Sequence, residues 1–469
     1  MNFNLANKEI IHFIGIGGIG MSGLALIMKN IGFNVQGSDI NQNQNIIRLK
    51  KLGIKIFIGH KNKNLKKSSV VVISSAIKNN NPELKFAKKN KLPIYKRGDM
   101  LANIFSLKKN IVISGSHGKT TTTSLISTIL NLAKFDATTI NGGVINQLQN
   151  SAKLGKGEWS VLESDESDGS FLKIPVTYSV VTNIDKEHLD YYKSFKNLFE
   201  SFRIFVEKTP PFGKSFICID DTNNKKLLNK LTINNFYTYG FNNKSNFKII
   251  LKLRNSKISK FDLKIKLLGK KTKLIKNFQI PLLGNHNIKN ATAAIAICLT
   301  IGIKINIIKD ALKNFSGVQR RFIKVFTHKK NDFYDDYAHH PTEITELLKG
   351  VKAVSKKRKI ISIFQPHRYS RLRLLKKEFS KCFNDCDEVI LCPIYSAGEK
   401  NDENYDSYKF GNLIIKNSKV NLIIINHEND LLKYFKKNLF KDELIISMGA
   451  GTISTWIKDI SQNEYFKKN

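Results

Sequence analysis

Residues 111–125 read I-V-I-S-G-S-H-G-K-T-T-T-T-S-L, and they constrain the fold more than any other stretch. Ile111, Val112 and Ile113 are a β-branched apolar run, the pattern of a buried strand. Ser114 to Gly118 form a glycine-bearing turn, after which Leu125, Ile126, Ile129 and Leu130 recur at helical spacing. Strand, glycine turn, Lys-Thr and helix together make a cradle for phosphate. Backbone N–H groups close around the oxygens, and the helix N-terminus adds partial positive charge. Lys119 can reach β- and γ-phosphates, and the Thr120 hydroxyl can ligate Mg²⁺. The spacing is shorter than G-x-x-x-x-G-K-[ST], because Gly115 and Gly118 enclose just Ser116 and His117. Alone, the stretch is also compatible with an ordinary strand–turn–helix carrying a chance G-K-T.

The chain has 469 residues, enough for about three domains of ~150 residues. A 41% hydrophobic content lets each bury a core. The net charge of +39 invites a nucleic-acid reading. However, the lysines are spread along the chain and travel with Asn and Ile, so the excess reads as compositional drift. Without zinc-finger spacing or an RNA-binding aromatic motif, no nucleic-acid partner is expected, and a basic surface favours small phosphate-rich substrates. Five cysteines without a C-x-x-C pair suggest neither a disulfide framework nor a zinc site, which fits a cytoplasmic protein. The apolar run 10–28 contains five glycines and His12, so it reads as strand, turn and helix, and no membrane insertion is expected.

That run predicts a strand over 9–14, then G-I-G-G-I-G and a helix through Met28. Gly15, Gly17 and Gly20 satisfy G-x-G-x-x-G, and Asp39 lies about 20 residues beyond, where a ribose-binding acid belongs. The pattern specifies a diphosphate and a ribose, which NAD and a UDP-sugar both supply. A strand over 70–73 ends in Ser74-Ser75-Ala76, small hydroxyls at the expected crevice. In the middle of the chain, Thr139 to Gly143 reads as a strand end with a glycine turn. The strand 159–162 leads into E-S-D-E-S-D (Glu163 to Asp168), and the strand 179–181 into T-N-I-D-K-E-H-L-D. Parallel strand ends converge on one crevice, so Thr120, Glu163 and His188 can share Mg²⁺ or Mn²⁺. A solvated acidic turn is the plainer alternative. Residues 241–280 alternate Lys with apolar residues, which suggests exposed antiparallel strands. Asn285, His286 and Asn290, entering an Ala-rich helix, can offer adenine hydrogen bonds and a stacking face, or else cap and pack that helix. Arg320 and Arg321 suit a γ-phosphate. Strand ends at Asp336, Phe364, Leu391 and Ser447 describe a second doubly wound unit.

The motifs, in order, resemble the Mur ligases of peptidoglycan precursor synthesis across essentially the whole chain. They are H-F-I-G-I-G-G-I-G-M-S-G-L-A, S-G-S-H-G-K-T-T-T-T, E-S-D-E-S-D-G-S-F, T-N-I-D-K-E-H-L-D, G-N-H-N-I-K-N-A-T-A-A, R-R-F, D-D-Y-A-H-H-P-T-E and Q-P-H-R-Y-S-R. D-E-S-D and D-Y-A-H-H-P match the branch that adds the first amino acid. Ser116 replaces the usual Thr and Glu187 the usual Asp. The resemblance implies an α/β fold of three domains: an N-terminal Rossmann-like UDP-sugar domain (1–106), a central P-loop ATPase domain (107–317) and a C-terminal Rossmann-like closing domain (318–469). It implies that Gly15, Gly17, Gly18, Gly20, Met21, Ser22, Asp39, Ser74, Ser75 and Ala76 hold the UDP part. Gly115, Ser116, His117, Gly118, Lys119, Thr120 and Thr121 would hold ATP phosphates, with Thr120, Glu163 and His188 as metal ligands. Asn285, His286 and Asn290 would surround adenine, and Arg321 with Arg320 would clamp the γ-phosphate. Asp336, Tyr337, His339, His367, Arg368 and Arg371 would line the ribose and amino-acid pocket, with His339 among the catalytic residues.

The implied reaction is ATP- and Mg²⁺-dependent joining of L-alanine to UDP-N-acetylmuramate through an acyl phosphate. A sister ligase that reattaches a recycled peptide is the neighbouring alternative. An NAD-dependent oxidoreductase would use the N-terminal motif alone and leave the phosphate loop, acidic turn and arginine pair idle. The sequence leaves a homo-oligomer open.

Overall fold

The computed structural model describes residues 9–106, 108–146, 150–255, 258–355, 357–400 and 405–467. Position 107, where the second domain is expected to begin, and the chain ends at 1 and 469 lie outside the described residues. The strands fall into three sheets. The first contains β1 (Ile10–Ile14), β2 (Asn34–Asp39), β3 (Lys55–Ile58), β4 (Val70–Ile73) and β5 (Ile94–Lys96), all parallel, in the order β3-β2-β1-β4-β5. The strand order reverses at β1, so the crevice where a doubly wound sheet takes its ligand opens at the end of β1, at the glycine turn.

The second sheet has ten strands: β6 (Lys109–Ser114), β7 (Thr138–Ile145), β8 (Asn150–Lys153), β9 (Trp159–Glu163), β10 (Tyr178–Val181), β11 (Lys214–Cys218), β12 (Phe236–Gly240), β13 (Phe247–Arg254), β14 (Ser259–Ile265) and β15 (Lys273–Ile280). Their order is β15-β14-β13-β12-β11-β10-β6-β9-β7-β8, with β6 paired in parallel to both β9 and β10. Two expectations are corrected here. Gly142 and Gly143 do not end their strand: β7 continues to Ile145, with its register shifting against β8. The lysine-rich strands are exposed on one face only, because Phe247, Phe261 and Phe278 are buried, the last two stacked at 5.6 Å. Alternation of Lys with apolar residues is the pattern of a half-buried sheet.

The third sheet contains β16 (Ile323–His328), β17 (Asn331–Asp336), β18 (Ile360–Phe364), β19 (Glu388–Leu391), β20 (Asn421–Ile424) and β21 (Leu444–Met448), in the order β16-β17-β21-β18-β19-β20. It is the expected doubly wound unit with one addition. The edge strand β16 runs antiparallel to β17.

Packing groups the chain into two compact units: Met1–Leu251 with Phe261–Pro281 and Lys289–Val318, and Lys252–Lys260 with Leu282–Ile288 and Gln319–Asn469. The first sheet and most of the second share the first unit. Its largest core joins Phe13, Met21 and Leu24 to Val112, Leu162 and Val181 in one apolar cluster. Each such side chain contributes about 1.5–3 kcal/mol by burial. Helix Ile19–Ile31 supplies the connection: Gly23 packs against Ala152 of β8. Among the described residues no helix is long and apolar enough to cross a membrane.

Candidate active site

The register of the second sheet explains why its motifs meet. Val181 of β10 lies beside Ser114 of β6, and Glu163 of β9 beside Ile113. The phosphate loop, the T-N-I-D segment and the acidic turn therefore leave three adjacent parallel strands at one edge. The loop is stitched to the segment after β10. Ser116 N–H donates to Asn183 O (3.0 Å) and His117 N–H to Asn183 Oδ1 (2.8 Å), while Thr182 Oγ1 donates to His117 O (2.7 Å). Gly118 ends the loop at φ +85°, and a Cβ there would lie 2.6 Å from Asn290 Oδ1. Both facts restrict the position to glycine.

Lys119 opens helix Lys119–Leu132 and folds back over the loop, donating to Gly115 O (2.6 Å) and to Glu166 Oε2 (2.9 Å). Its side chain is 12% exposed and that of Glu166 is fully buried. Burial alone would discharge the lysine, but Glu166, Asp165 and Glu187 reverse this and hold it firmly protonated. Glu166 is pushed up by burial, with Asp165 and Glu187 adding to the shift against the pull of Lys119.

Thr120 and Glu163 meet directly: the hydroxyl donates to Glu163 Oε1 at 3.0 Å, and Gly142 N–H to Oε2 at 2.5 Å. His188 pairs elsewhere, 3.6 Å from Glu166 and 3.8 Å from Glu187. Ligand atoms of Asp165, Glu166 and His188 all lie within 4.8 Å of one another. Carboxylates with one imidazole are donors that Mg²⁺ or Mn²⁺ accepts, so this set fits such an ion. The acidic turn thus splits, Glu163 going to Thr120 and Asp165-Glu166 to His188. The sequence reading left out Asp165 and Asn183, although both lie within motifs it quoted.

At the N-terminal turn, Asp39 Oδ2 accepts the Gly17 N–H at 2.8 Å, and Asn43 and Asn45 donate to Gly17 O at 3.1 and 2.9 Å. Ser74 packs against Gly15, where a Cβ would be 3.1 Å away. The structure therefore brings the glycine turn, Asp39 and Ser74 together. The adenine trio divides: Asn290 belongs to the first unit, beside the phosphate loop, whereas Asn285 and His286 belong to the second. There Asn285 accepts from Arg254 at 2.9 Å.

Within the second unit, Arg320 and Arg321 flank the Tyr337 ring at 4.9 and 5.3 Å. Arg320 donates to Gly449 O (2.7 Å), and Arg321 lies 3.6 Å from Glu343. Asp336 accepts the N–H groups of Phe322 and Ala338, each at 2.7 Å, and burial pushes its carboxyl up to about 6 against the pull of Arg321. The His339 and His367 rings stand 5.7 Å apart, and His367 stacks on Tyr395 at 5.6 Å. Burial, then the fields of His339, Arg371, Arg368 and Arg320, push His367 down to about 3.

A glycine-cradled loop with a protonated lysine, facing acids that fit a divalent cation, defines a nucleotide-dependent phosphoryl-transfer enzyme. Three family models match in succession: the Mur ligase family, catalytic domain (residues 10–109), the Mur ligase middle domain (113–298) and the Mur ligase, glutamate ligase domain (320–451). The chain belongs to the Mur ligase family. It is 60% identical over 462 residues, 98% of this chain and 100% of the relative, to the UDP-N-acetylmuramate–L-alanine ligase of Pelagibacter ubique. It is 44% identical to the Rickettsia felis enzyme of the same name, with 98% of each chain covered. Among solved structures, the UDP-N-acetylmuramate-alanine ligase MurC of Thermotoga maritima superposes with a TM-score of 0.81 at 27% identity, covering 98% of this chain and 99% of that one.

Proposed function

We propose that this chain joins L-alanine to the lactyl carboxylate of UDP-N-acetylmuramate at the expense of ATP, in the cytoplasm, through an acyl phosphate. The observation that carries the reading is Lys119, held protonated by buried Glu166 across a phosphate loop, in a chain whose similar relatives bear that ligase name. The three domains are assigned to 1–106, 107–317 and 318–469.

The N-terminal glycine turn, Asp39 and Ser74-Ser75-Ala76 hold the UDP-sugar, and the phosphate loop holds the ATP phosphates. Thr120 with Glu163, and His188 with Glu166 and Asp165, are the residues that would hold divalent cations. Such ions, when bound, neutralise phosphate charge. Lys119 draws charge from the γ-phosphate as the carboxylate oxygen bonds to phosphorus and ADP departs. The uncharged amine of L-alanine then attacks the acyl carbon, and phosphate leaves from the tetrahedral intermediate. Arg321 with Arg320 clamps the γ-phosphate. Asn290, beside the phosphate loop, lies against adenine. Asp336, Tyr337, His339, His367, Arg368 and Arg371 line the ribose and amino-acid pocket. Positioning supplies much of the acceleration, since two anions must be held together. The test is phosphate release from ATP and Mg²⁺, with the UDP-sugar and each amino acid supplied in turn. Release that requires both the UDP-sugar and L-alanine is expected, and release with a free tripeptide in place of L-alanine would overturn the assignment.

A further inference from the structure

The lysine excess is densest at one edge of the second sheet. Residues 261–281 hold six lysines, Lys264, Lys266, Lys270, Lys271, Lys273 and Lys276, and one acid, Asp262. That acid is buried and accepts the Asn277 N–H at 2.9 Å. All six lysines are exposed, and among the described residues none of them pairs with a carboxylate. Elsewhere lysines are interleaved with acids: helix Glu428–Asn438 carries Glu428 and Asp430 alongside Lys433, Lys436 and Lys437.

The loop 266–272 joins β14 to the edge strand β15. Its base is pinned to Asn246: Lys266 N–H donates to Asn246 O at 2.8 Å, and Asn246 Nδ2 donates to Lys266 O at 2.9 Å. Lys270 N–H then donates to Leu267 O at 3.1 Å, closing a tight turn with Leu268 and Gly269 at its corner, where Gly269 takes φ +69°. The turn holds Leu268 in solvent. This leucine is 100% exposed, Leu274 just beyond is 51% exposed, and a Cβ added to Gly269 would meet nothing within 4 Å. Two exposed leucines among six cations match a partner that is anionic outside and apolar within. A bilayer with anionic headgroups has that structure: the headgroups attract the lysines and the acyl boundary takes the leucine. Nucleic acid matches the charge alone. It is gripped by stacking aromatics and arginine forks, whereas this stretch has no arginine and its Phe261 and Phe278 are buried.

We propose that this turn docks the protein on an anionic lipid bilayer, with Leu268 inserted at headgroup depth and the surrounding lysines on the headgroups. This is adsorption to one leaflet and spans nothing. It goes beyond the ligase reading and does not depend on it. The test is flotation of the full-length protein with vesicles of phosphatidylcholine alone and with vesicles that also contain phosphatidylglycerol. Binding to the anionic vesicles alone is expected, weakening as salt rises. Lys270→Glu with Lys271→Glu should lower the partition coefficient by about tenfold or more, and Leu268→Ser by about fivefold. The control Lys88→Glu with Lys89→Glu makes the same charge change at exposed positions of helix Pro82–Lys89 and should stay within about twofold.

If the control loses as much as the turn variant, the net charge of the whole chain does the binding and the proposal fails. Leu268→Ser that floats like wild type overturns it too. Leu268→Trp reads insertion directly: its emission should shift to the blue on anionic vesicles and be quenched by brominated lipid, and unshifted, unquenched emission overturns the proposal. These positions are exposed, so melting temperatures should stay near wild type. Should the charge reversal fail to fold, Lys270→Gln with Lys271→Gln takes its place, with a loss of about fivefold expected. A wild type that floats with neither kind of vesicle overturns the proposal. Retention of a DNA duplex through the same two lysines, without vesicle binding, would assign the surface to nucleic acid instead.

Discussion

Two charged clusters of this protein are built with opposite signs. In the first unit a lysine is surrounded by acids: Lys119 sits among Glu166, Asp165 and Glu187, and their fields keep it charged despite burial. In the second, a histidine is surrounded by bases: His367 faces His339, Arg371, Arg368 and Arg320, and their fields add to burial in keeping it neutral. Three carboxylates and His188 around one lysine leave an excess of negative charge that a divalent cation can neutralise. Several guanidinium groups around a neutral imidazole leave an excess of positive charge that suits phosphate or carboxylate.

The sharpest way to break this comparison is Lys119→Met. ADP formation should fall by about 10³-fold or more, because the donor acts on charge that develops in the transition state, while UDP-sugar affinity stays near wild type. The substitution should also destabilise the fold by about 3 kcal/mol, since buried Glu166 is left with no lysine beside it. Lys119→Met combined with Glu166→Gln should recover most of that stability in a denaturant titration and none of the activity. Recovery of activity would show that the lysine is structural. Next in size is Arg321→Ala on the basic side. ADP formation at saturating substrates should fall by about 100-fold, with stability changed little because its Glu343 contact is long and 28% of its side chain is exposed. A large stability loss without a rate loss would make Arg321 a packing residue.

The two clusters also differ in how much of them can be read from sequence. The acidic one is local. Glu163, Asp165 and Glu166 lie within four positions, at the end of a strand whose apolar run announces it, and the sheet register delivers them to the phosphate loop. What could not be read was the division of labour, because the meeting of His188 with Asp165 and Glu166 depends on how the turn folds after its strand. The basic cluster is assembled from three separate places in the chain, so the low pKa of His367 has no signature in Q-P-H-R-Y-S-R. Glu83 makes the same point. Nothing in N-P-E-L-K marks Glu83 as fully buried, yet it accepts hydrogen bonds from Ser38 (2.5 Å) and Asn64 (2.6 Å) and lies 3.1 Å from His60. Strands and glycine turns are specified by neighbours in sequence. Charge environments are specified by the tertiary structure.

The smallest effect tests the basic cluster alone. His367 is held down to about 3 in the folded protein and titrates near its ordinary 6.5 when unfolded. Between these values the unfolded chain binds more protons, so this residue's contribution to stability is fully present above pH 6.5 and is lost progressively as pH falls toward 3. At pH 5 the loss should be about 1–2 kcal/mol relative to pH 7. His367→Asn removes the titrating group while keeping a compact polar side chain, so its stability should change less between pH 5 and 7 than that of wild type by that amount. NMR of the imidazole should find His367 neutral at pH 5 in the folded protein. An imidazole that titrates near 6.5 would mean that the three guanidinium groups and His339 do not converge on it in solution. The contrast between a lysine kept charged and a histidine kept neutral would then hold for the acidic cluster alone.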